Sequence, residues 1–184
     1  TATEDELTSL NTATSGAIDA SGVTAITAGT ADDVVALIDD STVTLASDVD
    51  VTVTGTAAAT DLTAIAAATS GTITVSGVTN ITGTAAAIMA AHDNGELGTI
   101  DTDFTVTVTG TAAATDLTAI AAATSGTITA SGVTTITGTA TAIMAAHDDS
   151  SELSSIDTDF AATVTGTATE DELTSLNTAT SGAI

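Results

Sequence analysis

The sequence predicts an α/β solenoid. In this fold, strand–strand–helix rungs of 26–28 residues stack so that parallel sheets form between rungs. Three observations support this class. The residues from Val51 to Thr74 recur unchanged from Val106 to Thr129. A glycine that follows a Val- and Thr-rich stretch returns every 26–28 residues. The apolar residues are small and aliphatic, with two Phe and no Trp or Tyr, so thin stacked layers suit them better than one thick core.

The whole chain, residues 1–184, is expected to form a single repeat array. Its parts are the long copies 1–55, 56–110 and 111–166 and the partial copy 167–184. The partial copy is identical to residues 1–18, which adds a longer period of 166 residues. The rungs end at Gly29, Gly55, Gly83, Gly110, Gly138 and Gly166. A unit of this size cannot bury its apolar face alone, and stacking on copies of itself provides the missing cover.

Each rung glycine precedes a stretch with helical periodicity, such as "TAAATDLTAIAAATSG". Thr56 is expected to cap this helix at its N-terminus. Leu62 and Ile65 fall on one helical face and are expected to be buried. Ser70-Gly71 is expected to end the helix, because glycine commonly follows the last helical turn.

The other rung types carry related signals. Thr1 and Glu4 have the spacing of a capping box, and so do Thr167 and Glu170. In the second rung type Ile88 is expected to lie on the apolar face of the helix.

Two short strands are expected after each helix. The first places Ile73, or Ile100 in the second rung type, toward the core. A corner follows, written "SG" in one type and "DF" in the other. The last strand, "VTVTG", alternates buried Val106 and Val108 with outward Thr.

Several stretches resemble repeats of a known kind. "VTxITGTAAxI" and "GTAAATDLTAIxAxTSGTI" are similar to segments of giant secreted or cell-surface proteins of cyanobacteria and other aquatic bacteria. The resemblance implies an adhesin, matrix or surface-layer component, a class that often contains calcium-binding modules. It covers nearly the whole chain and implies no catalytic residue.

Composition excludes several functions. The chain has no Lys or Arg and 24 acidic residues, which gives a formal charge of −24. It therefore has no side chains with which to displace counterions from nucleic-acid phosphates or to bind anionic membranes. Cys is absent, so disulfides and thiolate chemistry are excluded. No run reaches the ~20 apolar residues of a membrane span, and we expect no membrane insertion in this segment.

Four acidic residues are candidate metal ligands. Asp101 and Asp103 are expected on one face of a strand, as are Asp157 and Asp159. Carboxylates of this kind can bind calcium, although no EF-hand loop is present. The alternative is a solvated acidic edge without a bound ion. A role in glycoside hydrolysis is disfavoured, because no aromatic or basic side chain accompanies the carboxylates.

Outward threonines form a second candidate surface. This Thr array consists of Thr52, Thr54, Thr107, Thr109, Thr135, Thr137, Thr163 and Thr165. Threonines spaced ~6.6–6.8 Å along strands and ~4.8 Å between strands resemble the faces of ice-binding β-solenoids. The alternative is that Thr serves only strand propensity and solubility.

His92 and His147 occupy equivalent positions, and each precedes an Asp. Rungs two apart are ~9–10 Å from each other, too far for a shared metal. No nucleophile or oxyanion site accompanies them, so we do not expect an enzyme.

The sequence as a whole predicts a structural, extracellular or cell-surface repeat protein that forms a stalk, fibre or coat. Its expected partners are copies of itself, arranged end to end or laterally. The identity of residues 1–18 and 167–184 suggests that further copies continue the rungs in register. The alternative function is a binding module, either a calcium-dependent adhesin or an ice-binding protein.

Overall fold

The computed structural model describes residues 1–149, 153 and 156–184. The strands are β1 Ala2–Thr3, β2 Ile18–Ala20, β3 Ala25–Gly29, β4 Val43–Leu45, β5 Asp50–Ala58, β6 Ile73–Gly83, β7 Thr105–Ala113, β8 Ile128–Gly138 and β9 Ala161–Val164. The helices are α1 Glu4–Ala13, α2 Ala31–Ile38, α3 Ala59–Ala68, α4 Ala85–His92, α5 Ala114–Ala123, α6 Ala140–His147 and α7 Glu170–Ala179.

Strands and helices alternate along the chain, and the α/β class is confirmed. The main sheet has seven parallel strands in the order β1-β3-β5-β6-β7-β8-β9, and β2 and β4 form a separate parallel pair. The strands of the main sheet therefore follow one another in sequence order. This is the order expected when each strand pairs with the strands of the neighbouring rungs.

The chain forms two compact units. The first contains residues 1–81 and 90–101, and the second contains residues 82–89 and 102–184. In the first unit β3 pairs with β1 and β5, and α2 contacts α1 and α3. In the second unit β8 pairs with β7 and β9, and α6 contacts α5 and α7. Each unit thus repeats one arrangement, in which strands pair with strands and helices pack side by side.

The cores are aliphatic. Ile26, Leu62 and Ile65 are fully buried in the first unit, and Val108 and Phe160 in the second. The predicted buried face of α3 is confirmed, and the predicted burial of Val106, Ile73 and Ile88 is confirmed as well.

The helix begins later than the sequence suggested. Gly55 has φ +78°, and β5 continues past it to Ala58. Thr56 therefore lies in a strand, and Ala58 is the N-cap, without a side-chain hydrogen bond. The prediction that Thr56 caps the helix was wrong. The left-handed glycine bends the strand and does not end it.

The capping boxes were predicted two residues too early. Thr3 caps α1 and pairs with Glu6, whose carboxylate accepts from the Thr3 N–H at 2.9 Å. Thr169 and Glu172 form the same box in α7. The i, i+3 spacing fits either register. The observed register leaves Thr3 free to pair with β3 and places the acidic residues in the first turn, where the helix dipole favours them.

The two short strands were predicted correctly in the first copy only. There β2 and β3 are separated by a turn at Ser21-Gly22. β6 and β8 run through the predicted "SG" corner without interruption. In the second rung type Ile100 is half-buried and lies outside any strand.

Candidate functional site

The most regular feature of the described chain is a Thr-Ser-Gly segment after a helix. It occurs at residues 14–16, 69–71, 124–126 and 180–182, after α1, α3, α5 and α7. The last three contact a turn that precedes them by 20 to 23 residues, at residues 47–49, 102–104 and 158–160. We call these three turns the acceptor turns, and the interaction the Thr-Ser-Gly contact.

Thr124 is the centre of one such contact. Its hydroxyl donates to the carbonyl of Phe104 at 2.5 Å and accepts from the Gly126 N–H at 2.9 Å. Ser125 adds a backbone hydrogen bond from its N–H to the Thr102 carbonyl at 2.7 Å. The Thr124 side chain is buried, with 5 % of the residue exposed. Only a hydroxyl can donate and accept in this way within so small a space.

Glycine is required in the contact because two backbones approach closely. A Cβ on Gly126 would lie 2.2 Å from the Phe104 carbonyl oxygen, and one on Gly71 would lie 2.4 Å from that of Val49. The prediction that Ser70-Gly71 ends the helix as a glycine cap was wrong. α3 ends at Thr69, whose backbone is extended (φ −130°, ψ 147°).

The same contacts recur with the same separations. The Thr69 hydroxyl donates to the Val49 carbonyl at 2.7 Å, as Thr180 does to Phe160. Thr14 accepts from the Gly16 N–H at 3.1 Å, so the local turn forms there too. The contact is therefore a property of the repeat, and it joins each rung that has it to an earlier one.

The candidate calcium ligands lie beside these contacts, in positions that differ from the prediction. Asp101, Asp103, Asp157 and Asp159 are exposed and lie in turns and irregular segments, not on strands. Their expected placement on one strand face was wrong, because the chain turns here to meet the next Thr-Ser-Gly segment. Among the residues that the structure describes, no group of three or more His, Asp or Glu side chains is arranged to hold a metal ion.

The Thr array follows a different register from the expected one. Thr52 and Thr54 lie in β5, Thr107 and Thr109 in β7, Thr135 and Thr137 in β8, Thr163 in β9, and Thr165 just after β9. Thr137 pairs with Thr163, but Thr107 pairs with Thr129 and Gly110 with Val133. Aligning strands on their glycines was therefore wrong between β7 and β8. β7 continues past Gly110, and Thr111 pairs with Thr135 after a register shift.

The two histidines end α4 and α6. Nδ1 of His92 lies 2.9 Å from Oδ1 of Asp93, and Nδ1 of His147 lies 3.0 Å from Oδ1 of Asp148. The His147 ring packs on Phe160, with ring centroids 5.9 Å apart. This contact explains the position of His147 through packing.

A cavity of about 200 Å³ lies beside the first acceptor turn. Its lining includes Val49, Ile38 and Thr69. Val49 stands where the later copies carry Phe104 and Phe160. The smaller side chain leaves the space open.

Polar contacts also join neighbouring helices. The Thr141 hydroxyl donates to Oε1 of Glu172 at 2.5 Å. This bond, together with those from the Thr169 N–H and hydroxyl, lowers the pKa of the Glu172 carboxyl. The Thr42 hydroxyl and N–H lower the pKa of Asp40, which also accepts from Asn11. These carboxylates are held ionised by donors on other turns or rungs.

Comparisons of the chain with family models, with curated proteins and with solved structures found no match. Within the described ranges, no helix is both long enough and apolar enough to cross a membrane. What the protein does must therefore be inferred from its own contacts.

The Thr-Ser-Gly contact was missed by sequence reasoning, although a signal was present. Each segment follows the middle Asp of its acceptor turn by a nearly constant interval, Asp48 to Ser70 and Asp103 to Ser125. Such an interval marks a contact between rungs.

Proposed function

We propose that the protein is an α/β solenoid with a structural role, forming part of a stalk, fibre or cell-surface coat. The observation that carries this proposal is the Thr-Ser-Gly contact, which repeats with the same partners at the same separations. A contact that serves every rung equally supports extent and stiffness. It does not distinguish one rung as a site of chemistry.

The physical properties of the chain support this role. Parallel ladders and a small-residue core tie each rung to its neighbours, so that stability grows with the number of rungs. The charge of −24 prevents uncontrolled association at low salt and is screened in a saline medium. The resemblance to repeats of secreted aquatic bacterial proteins favours the same setting, outside the cell or on its surface.

Immunogold labelling of intact producing cells tests the proposal. We expect label on the surface or on extracellular material before the cells are permeabilised. Label that requires permeabilisation would contradict an extracellular structural role. A cytosolic protein labelled in the same cells provides the control for membrane integrity.

A second candidate function is binding through threonines. Cross-strand pairing of Thr111 with Thr135 and of Thr137 with Thr163 places hydroxyls side by side, which favours a regular polar face. If this face binds ice, the protein should show thermal hysteresis. Tyr at positions 135 and 137 should reduce the hysteresis, and its absence from the unaltered protein at high concentration would remove this candidate.

A further inference from the structure

Helices α1 and α7 have the same sequence but bury opposite faces. In α1, Leu7 is buried, with 6 % exposed, and Leu10 is 51 % exposed. In α7 the equivalent of Leu7, Leu173, is 40 % exposed, and the equivalent of Leu10, Leu176, is fully buried. One 18-residue segment therefore has two packing faces, and the chain shows a partner for each.

The partner of the first face is visible at α1. This face, which we call the forward face, packs on β3 and α2. Glu4 is buried over Gly29, where an added Cβ would lie 3.2 Å from the Glu4 Cβ. Asn11 Nδ2 donates to Asp40 Oδ2 at 2.6 Å, and the Thr42 hydroxyl donates to Asn11 Oδ1 at 2.9 Å. These contacts combine apolar burial with specific hydrogen bonds.

The forward face of α7 consists of the same side chains in an exposed state. Glu170, Leu173 and Asn177 are exposed, whereas their equivalents in α1 are covered or hydrogen-bonded. α7 is held through its other face, by buried Leu176 and by Thr180 in the last Thr-Ser-Gly contact. A partner can therefore cover the forward face without disturbing α7.

We propose that the forward face of α7 binds a second copy of this chain, where it replaces residues 1–18 of that copy on β3 and α2. The proposal rests on the proposed structural function and gives it a means of joining chains end to end. Because the two segments are identical, the incoming segment can form the same hydrogen bonds and the same apolar packing as the segment it displaces. The segment within one chain has the advantage of high effective concentration, so weakening its docking should shift the balance toward exchange.

Leu7→Asp provides the test in the full-length chain. This change weakens the docking of α1 but leaves the acceptor surface and α7 intact. We expect head-to-tail oligomers whose mass rises with protein concentration, at least doubling the weight-average mass in sedimentation velocity at high salt. High salt is needed because the first turn of α7 and the start of α2 are both acidic.

The double variant Leu7→Asp/Leu173→Asp is the matched control and should remain monomeric, because neither copy of the segment can then dock. Equal association of the single and double variants would indicate non-specific aggregation and overturn the proposal. A monomeric Leu7→Asp variant with native circular dichroism would also overturn it.

If Leu7→Asp prevents folding, Asn11→Asp places a carboxylate beside Asp40 and weakens the docking more gently. Its control is Asn11→Asp/Asn177→Asp, and the same two results overturn the proposal. Surface labelling of cells is independent of these results, so the structural role and the exchange can fail separately.

Discussion

Replacing Thr124 with Val tests whether the Thr-Ser-Gly contact stabilises the stack. Valine has nearly the same shape but neither donates nor accepts a hydrogen bond. The change removes the 2.5 Å bond to the Phe104 carbonyl and leaves the Gly126 N–H without its 2.9 Å acceptor. Leaving a buried polar group unsatisfied costs about 1–3 kcal/mol, and removal of the hydrogen bond about 1 kcal/mol more, so we expect the free energy of unfolding to fall by about 2–4 kcal/mol.

The assay is urea unfolding followed by far-ultraviolet circular dichroism, with the free energy of unfolding extrapolated to water. Thr14→Val is the matched control, because Thr14 forms the same local turn but is exposed. That control should change stability by less than about 0.5 kcal/mol. Thr124→Ser, which keeps the hydroxyl, should be milder than Thr124→Val. If the two Val variants cost the same, the contact does not hold the rungs together.

Three further changes test separate features of the structure. Val49→Phe should fill the cavity of about 200 Å³ and raise the free energy of unfolding, by about 1–3 kcal/mol at ~0.8 kcal/mol per buried carbon; no gain in urea unfolding would show that the space cannot take the ring. Glu172→Gln should destabilise the protein at pH 7. Because hydrogen bonds from Thr141 and Thr169 lower the pKa of Glu172 in the folded state, the stabilisation is present above the unfolded value of about 4.3 and is lost as pH falls through the folded value. The thermal unfolding difference between the two proteins should therefore vanish at low pH, and a difference that persists there would contradict this origin. Calcium should raise the melting temperature through binding at the acidic turns only if it saturates at low concentration and Asp→Asn changes there abolish the saturation; equal stabilisation by sodium at matched ionic strength would indicate screening alone. The residues to change for the calcium test are Asp101, Asp103, Asp157 and Asp159.

Local sequence patterns predicted the features that depend on one rung alone. The 26–28-residue period identified the rung, and helical spacing identified Leu62 and Ile65 as buried. The cap at Thr3 was misplaced because the same spacing fits Thr1, and only pairing of Thr3 with β3 selects between them. A choice made by a neighbouring strand cannot be read from the helix sequence.

The contacts between rungs were harder to predict, for the same reason. Gly71 reads locally as a helix stop, but its absent Cβ makes room for the Val49 carbonyl of an earlier turn. The acidic turns read as strands until the Thr-Ser-Gly segments that bind them are placed. The threonine register depends on how far β7 continues past Gly110, which the glycine spacing conceals.

The central proposal is that the rungs stack in one direction, and small-angle scattering of a lengthened chain tests it most directly. The chain to compare has residues 1–166 placed before the 184-residue sequence, in the register that the identical 18-residue segments define. One added period contributes six strands to the main sheet. At about 4.8 Å per strand, a stack should lengthen by roughly 29 Å with an unchanged cross-section. A cross-section that widens with the added period, or a maximum dimension that barely increases, would contradict a solenoid.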